Sequence, residues 1–285
     1  MTRPPVVVRT RRELAIALVP VPRRAVVMTM GALHEGHLSL VREARSRADQ
    51  VVVTIFVNPL QFAPTEDLER YPRDLEGDVA LLAGAGADVV FAPTVDEVYR
   101  DEPVVRVDAG EVGSRLEGAH RPGHLDGVLT VVLKLLHLVR PQVALFGQKD
   151  AQQLMAVRRM VHDLDVPVEV VAVPTVRDPD GLALSSRNAY LDPSERQVAL
   201  GLSRALRLAE QRARAGAGAD EVRLAAAAEL ARTDRLVVDY VALIDPVLAR
   251  DVAGDHRGAA VLAVAGRVGS TRLIDNVVLE IEETA

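Results

Sequence analysis

Short β-branched runs alternate with helical patterns along the first 175 residues, and this alternation narrows the possible folds more than any other feature. "RAVVMT" (24–29), "VVVTIFV" (51–57), "ADVVFAP" (87–93), "VALFG" (143–147) and "VEVVAV" (168–173) read as strands. Between them stand a helix from about His37, one over 75–86 ended by glycine, one over 126–139 stopped by Pro141, and one over 150–164. Strands separated by helices of this length predict a parallel sheet wrapped by helices. "VVRVDAG" (104–110) reads as an inserted or edge strand. The pattern changes after Pro174. A loop over 177–188 leads to a long helix opened by "DPSER", where Asp192 caps, Pro193 suits the first position and Glu195 completes a capping box. A second helix over about 219–232 and three strand-like runs, "LVVDYVALI", "AAVLAVAGRV" and "TRLIDNVVLEI", follow. The expected fold class is α/β: a Rossmann-like parallel-sheet domain over 1–175 with a smaller α+β domain over 176–285.

Composition limits the partners. The chain has 285 residues, 49% of them hydrophobic and 26% charged, enough for one large or two modest cores. A net charge of −6 argues against nucleic acid or an anionic membrane as partner. The absence of cysteine excludes disulfides, thiolate nucleophiles and Cys-based metal sites. "RTRRELAIALVPVPRR" has basic residues before a short apolar run, but Glu13 and two prolines border it and no small-residue cleavage site follows. No apolar stretch reaches the roughly 18 residues a membrane span needs. The expected location is cytoplasmic. Among 34 basic residues only Lys134 and Lys149 are lysine. A compact ammonium retained against that bias marks Lys149 for inspection, whereas Lys134 lies in the plain helical run "VLTVVLKLLHLV".

"TMGALHEGHLSL" (29–40) places His34 and His37 at the junction of the first long strand and its helix. A shared metal is one reading, but the spacing differs from H-E-x-x-H and no third ligand follows. Two satisfied polar residues at a helix start is another. The third is phosphate binding. A helix start exposes unpaired N–H groups and the positive end of the helix dipole. Glycine lets a phosphate approach the backbone. Neutral imidazoles donate hydrogen bonds without adding permanent charge, and ligands of parallel sheets sit at the carboxyl ends of strands. The stretch therefore reads as built for a nucleoside triphosphate.

H-x-G-H after a strand resembles the signature of the nucleotidylyltransferase superfamily, shared with class I aminoacyl-tRNA synthetases. The longer "TMGALHEGH" resembles the pantoate–β-alanine ligases within it. Further matches follow in order: "FVNPLQF" (56–62), "YPR" (71–73), "LEGAHRPGHLDGVLTVVLKL" (116–135), "GQKDAQQL" (147–154), "DGLALSSRN" (180–188) and "TRLIDN" (271–276). The resemblance implies ATP-dependent joining of D-pantoate to β-alanine through a pantoyl adenylate, with release of AMP and diphosphate. It implies Mg2+ as cofactor and a homodimer. It assigns Met30, Gly31, Ala32, Leu33, His34, Glu35, Gly36 and His37 to the ATP phosphates, with His37 as proton donor. Gly147, Gln148, Lys149 and Asp150 form a second nucleotide segment. Val176 with Leu184, Ser185, Ser186 and Arg187 closes over ATP from the second domain, where the synthetases carry K-M-S-K-S. Gln61, Gln153 and Met30 contact pantoate, and Gln61 also lies near β-alanine. His34, His37, Lys149 and Arg187 are the catalytic candidates.

The residues agree chemically with that implication. A carboxylate attacking the α-phosphate is already deprotonated near neutral pH, so no strong base is required. The barrier is anion repulsion and charge growth on diphosphate, lowered by positioning and by donors. Lys149, Arg187, Ser185, Ser186 and the histidines supply these. Departures from the family pattern are Met28 for a usual proline, Gln148 for a glutamate, Ala151 for an aromatic, and Gly77 for a second carboxylate beside Asp78, the candidate metal ligand. His124 and Arg121 are further candidates for lining the site. Two other functions fit the same fold: a nucleotidylyltransferase that stops after AMP transfer, and a nucleotide-sensing module without turnover.

Overall fold

A computed structural model describes residues 4–62, 68–69 and 71–282. The chain divides into two compact units, Met1–Gly147 with Ala156–Pro174, and Gln148–Met155 with Thr175–Ala285. In chain order the first contains β1 (Val6–Val8), α1 (Arg11–Ala17), β2 (Arg24–Thr29), α2 (Glu35–Arg47), β3 (Gln50–Ile55), α3 (Leu75–Ala85), β4 (Val89–Phe91), α4 (Val95–Val98), α5 (Leu116–His120), α6 (His124–Val139) and β5 (Val143–Gly147). There follow α7 (Ala151–Asp163), which straddles the division, and β6 (Glu169–Val173) of the first unit. The second unit continues with α8 (Pro193–Arg214), α9 (Ala219–Ala231), β7 (Leu236–Ile244), β8 (Gly258–Val268) and β9 (Thr271–Ile281).

The first unit is the expected parallel sheet, six strands in the order β1-β4-β3-β2-β5-β6. β2 is paired in parallel with β3 on one side and with β5 on the other. Its β-branched and small residues suit this doubly flanked position, and Ala25, Val26 and Val27 are fully buried. Leu38, Leu40, Val41 and Ala44 of α2 and Leu82 and Ala85 of α3 cover one face through Ala25, Val27, Val51 and Val53. Asp74 caps α3 by accepting from the Gly77 N–H, and Gly86 ends it at φ 94°. The second unit is the expected α+β layer. β7-β8-β9 form an antiparallel sheet whose inner face packs with Leu202, Leu206, Val222 and Leu230 of α8 and α9. The Asp192–Pro193–Glu195 capping box forms as the sequence predicts.

Residues 104–110 are not a strand. The Val107 N–H donates to Thr130 Oγ1 (3.0 Å) and the Ala109 N–H to Asp126 Oδ1 (2.8 Å), so their partners are α6 side chains rather than a neighbouring strand. Val104 and Val105 project outward, 96% and 86% exposed. β1 and α1 go beyond the sequence reading, since a three-residue strand is too short to show a period. α2 starts two residues before the expected His37 because His34 is its cap. Among the described residues no helix is long and apolar enough to cross a membrane.

Candidate active site

The sheet order creates the setting. From β2 the chain proceeds to β3 on one side, while β5 and β6 extend the sheet on the other, so the topological switch falls between β2 and β5. Ligands of open α/β sheets bind beyond the carboxyl ends of strands at such a point. Met30–His37 follows β2, and Gly147 ends β5 immediately before Gln148–Asp150.

The turn after β2 is held open by a buried carboxylate. Gly31 and Ala32 have φ of 87° and 52°, two successive left-handed residues that turn neighbouring N–H groups to one side. Asp78 occupies that concavity: Leu33 N–H donates to Oδ1 (2.8 Å) and Ala32 N–H to Oδ2 (3.1 Å). Its side chain comes from α3 and is 4% exposed. Burial pushes the Asp78 carboxyl above the usual carboxylate range, opposed by the two N–H groups and assisted by Asp74 nearby. Thr29 adds a brace, its hydroxyl donating to Thr54 O (2.9 Å) and accepting from Gly31 N–H (3.3 Å).

His34 and His37 then form a reciprocal cap. Gly36 N–H donates to His34 Nδ1 (3.1 Å), and His34 N–H donates to His37 Nδ1 (3.3 Å). The rings lie 4.2 Å apart, tilted 39°. Both Nδ1 atoms accept, which assigns the neutral tautomer with the proton on Nε2. In that tautomer each imidazole carries its N–H at Nε2. Glu35 differs: its carboxylate pairs with Arg42, which holds it below the ordinary carboxylate range.

Gln61 lies in a hub at the end of β3. Its Nε2 donates to Met30 Sδ (3.1 Å), bringing two of the predicted pantoate contacts together. Asn58, 1% exposed, donates to Gln61 Oε1 (3.1 Å) and Gly127 O (3.0 Å) and accepts from Tyr99 OH (2.9 Å) and Leu60 N–H (3.2 Å). His124 Nδ1 lies 2.8 Å from Gln61 O, while its Nε2 lies 2.9 Å from Arg121 Nη1. Donation from Nδ1 to the carbonyl leaves Nε2 to accept from the guanidinium, so the two side chains hold the main chain of Gln61. α6 approaches this turn so closely that a Cβ on Gly127 would collide with the Leu60 carbonyl. Gly127→Ala is therefore expected to push Leu60–Gln61 outward, raising KM for pantoate more than KM for ATP and costing about 1–3 kcal/mol of stability. Substrate-resolved kinetics with a denaturation curve check this. Unchanged KM values would separate Gln61 from pantoate.

The second unit carries the remaining predicted residues. Lys149 Nζ lies 3.6 Å from Asp150 Oδ1, with the lysine side chain 20% exposed. Gln153 is partly exposed, in the first turn of α7. The segment 176–184 is a tight antiparallel turn: Arg177 bridges Ala183, and Leu184 N–H donates to Val176 O (3.0 Å). Arg196 fastens it through Asp178 (2.6 Å) and Asp180 (2.8 Å). Ser185 caps the following 3-10 helix by accepting from Arg187 N–H (3.3 Å). Leu184, Ser185, Ser186 and Arg187 are all partly exposed.

The sequence reading misses Asn58 as the centre of the Gln61 hub and Asp275 and Asn276 on β9. Only their place in "FVNPLQF" and "TRLIDN" points to them. Asp78, the candidate metal ligand, has both oxygens engaged with the Ala32 and Leu33 N–H groups. Lys134 lies over the Tyr99 ring at 5.4 Å, the bland role its helix suggests.

Known proteins match this chain over nearly its whole length. The family model described as pantoate-beta-alanine ligase covers residues 7–278. The pantothenate synthetase of Thermobifida fusca is 55% identical, aligned over 96% of each chain, and that of Streptomyces coelicolor 53%, over 96% of this chain and 95% of its own. The crystal structure of pantothenate synthetase from Thermus thermophilus superposes with a TM-score of 0.92 at 49% identity, covering 97% of this chain and 99% of that one. A pantoate-beta-alanine ligase from Francisella tularensis, complexed with beta-gamma ATP and beta-alanine, gives 0.78 at 32%, covering 96% and 97%. Matches of this extent, with His34, His37, Gln61 and Lys149 each at the strand ends and turns described above, place the chain in the pantoate-beta-alanine ligase family.

Proposed function

We infer that this chain carries out the reaction of its family, the ATP-dependent condensation of D-pantoate with β-alanine to pantothenate, through pantoyl adenylate and with release of AMP and diphosphate. The observation that carries the residue assignments is the donor segment Met30–His37, which follows β2 at the switch point between β2 and β5. In the first step a pantoate carboxylate oxygen bonds to the α-phosphorus and the bond to the bridging oxygen breaks, sending a charge to diphosphate. The Nε2–H groups of His34 and His37 serve as neutral donors to phosphate oxygens, and Lys149 and Arg187 carry the positive charge that offsets the departing anion. The Met30–His37, Gly147–Asp150, Val176 and Leu184–Arg187 segments bind ATP in this reading. Met30, Gln61 and Gln153 orient pantoate through a thioether and two amides, a neutral set suited to a small hydroxy acid whose carboxylate must stay reactive. In the second step the neutral amine of β-alanine, beside Gln61, attacks the acyl carbon, the acyl C–O bond to AMP breaks, and the nitrogen gives up one proton to water as the amide forms.

Mg2+ belongs to this reading as a companion of the nucleotide. When bound it would supply neutralisation of phosphate charge, the way magnesium commonly rides on nucleotide phosphates with few protein ligands. A cytoplasmic homodimer completes the proposal, checked by sedimentation.

The test is exchange of labelled diphosphate into ATP with pantoate present and β-alanine absent. Exchange is expected, because the adenylation half-reaction requires no amine. Its absence, with ADP in place of AMP as product, would overturn the mechanism. Exchange without pantothenate formation after β-alanine is added would favour a plain nucleotidylyltransferase.

A further inference from the structure

The "TRLIDN" motif has no substrate role in the reading above, yet two of its residues are among the most buried polar groups of the chain. Asp275 and Asn276 are 3% and 4% exposed. They are neighbours on β9, and successive strand residues point to opposite faces of a sheet. Leu273, Val277 and Leu279, which share Asp275's parity, pack into the core made with α8 and α9. Asn276 belongs to the other face.

Each residue ends on a different segment. Asn276 Nδ2 donates to Gln148 O (2.9 Å) and to Lys149 O (2.8 Å), using both amide protons, and its Oδ1 lies 3.3 Å from Gln148 Nε2. The main chain on either side of the Lys149 nitrogen is thus tied to a rigid strand. Asp275 takes Arg177 in a two-pronged pair, 2.6 Å from Nη1 and 2.9 Å from Nη2. Arg177 also donates to Gly181 O (3.2 Å) and bridges Ala183, two residues before Ser185. Asp275 Oδ1 accepts from Asn276 N–H as well (2.8 Å), which joins the two anchors.

An ion pair with its carboxylate buried is a poor stability device, since apolar residues of similar volume commonly serve as well or better. What this one supplies is a fixed geometry. We propose that Asn276 and Asp275 are positioning residues for adenylation, Asn276 setting Lys149 and Asp275 setting the Leu184–Arg187 segment from one strand. The proposal rests on the assignment of Lys149 and Arg187 to the nucleotide.

The experiment is pantoate-dependent diphosphate exchange in the full chain for Asn276→Ala, Lys149→Ala and their double variant, with Asn276→Ser in parallel to guard against misfolding. Misplacing a reacting group by about 1 Å costs on the order of a hundredfold, so each Asn276 variant should lose about ten- to a hundredfold in kcat with KM for pantoate little changed. In the Lys149→Ala background the same substitution should cost almost nothing, because the group it positions is gone. A merely structural role gives the full loss in both backgrounds. Asp275→Asn should show that non-additivity with Arg187→Ala instead. Hydrogen exchange should rise over 148–150 in the Asn276 variants and over 177–184 in Asp275→Asn. Wild-type kcat in the Asn276 variants beside a slow Lys149→Ala, or additive losses, overturns the positioning role alone. A wild-type chain without exchange overturns the adenylation reading and this proposal with it.

Discussion

Lys149→Ala should slow pantoate-dependent diphosphate exchange by about a hundredfold to a thousandfold, the usual loss for one donor aimed at charge developing in a transition state. The fold should survive. The Lys149 ammonium pairs with Asp150 at 3.6 Å, and half of the aspartate side chain is exposed. Such a pair contributes about 0–1 kcal/mol to stability. The thermal midpoint should therefore hold while kcat collapses, and this contrast separates chemistry from structure. Lys149→Arg should recover little, since a broad planar guanidinium does not replace a compact ammonium at one phosphate position. An alanine variant within about threefold of wild type would remove Lys149 from the catalytic set.

His37→Ala and His34→Ala are expected to be the next most damaging changes, each by about a hundredfold in adenylation and with KM for ATP raised more than KM for β-alanine. Each imidazole has two jobs that a second substitution separates. His34 Nδ1 caps α2 at Gly36 N–H, and losing a cap costs about 1 kcal/mol of stability. Asparagine is a good N-cap without an Nε2 donor. His34→Asn should thus restore stability and leave the rate low. Melting curves beside exchange kinetics decide the matter, and a variant that regains both would reduce His34 to a cap. A defect confined to β-alanine in either histidine variant would contradict the phosphate assignment.

Features set within a few neighbouring residues are legible in the chain alone. Strand–helix alternation up to Val173, the Asp192–Glu195 box, Gly86 as a helix stop and the three terminal strands all follow from local period and capping, and all form. The HEGH segment is readable as a candidate phosphate site because its parts are contiguous. Where local reading fails, it fails for lack of a local signal: 104–110 has strand composition, but its N–H groups find Thr130 and Asp126 instead of a strand.

Which distant residues hold the contiguous ones is settled by packing. Strand order puts the ends of β2 and β5 at the switch point, and no periodicity specifies order. Asp78 reaches Leu33 across 45 residues, His124 reaches Gln61 across 63, and Asn276 reaches Gln148 across 128. A carboxylate in "LEGDVALL" looks alike whether it is to bind a metal or brace a turn. Its meaning comes from the two N–H groups that the left-handed Gly31 and Ala32 turn toward it. Local pattern thus specifies the elements and the candidate reacting side chains. The assembly of those elements specifies where the side chains are held, because hydrogen bonds across such separations exist only once the strands and helices that carry them have come together.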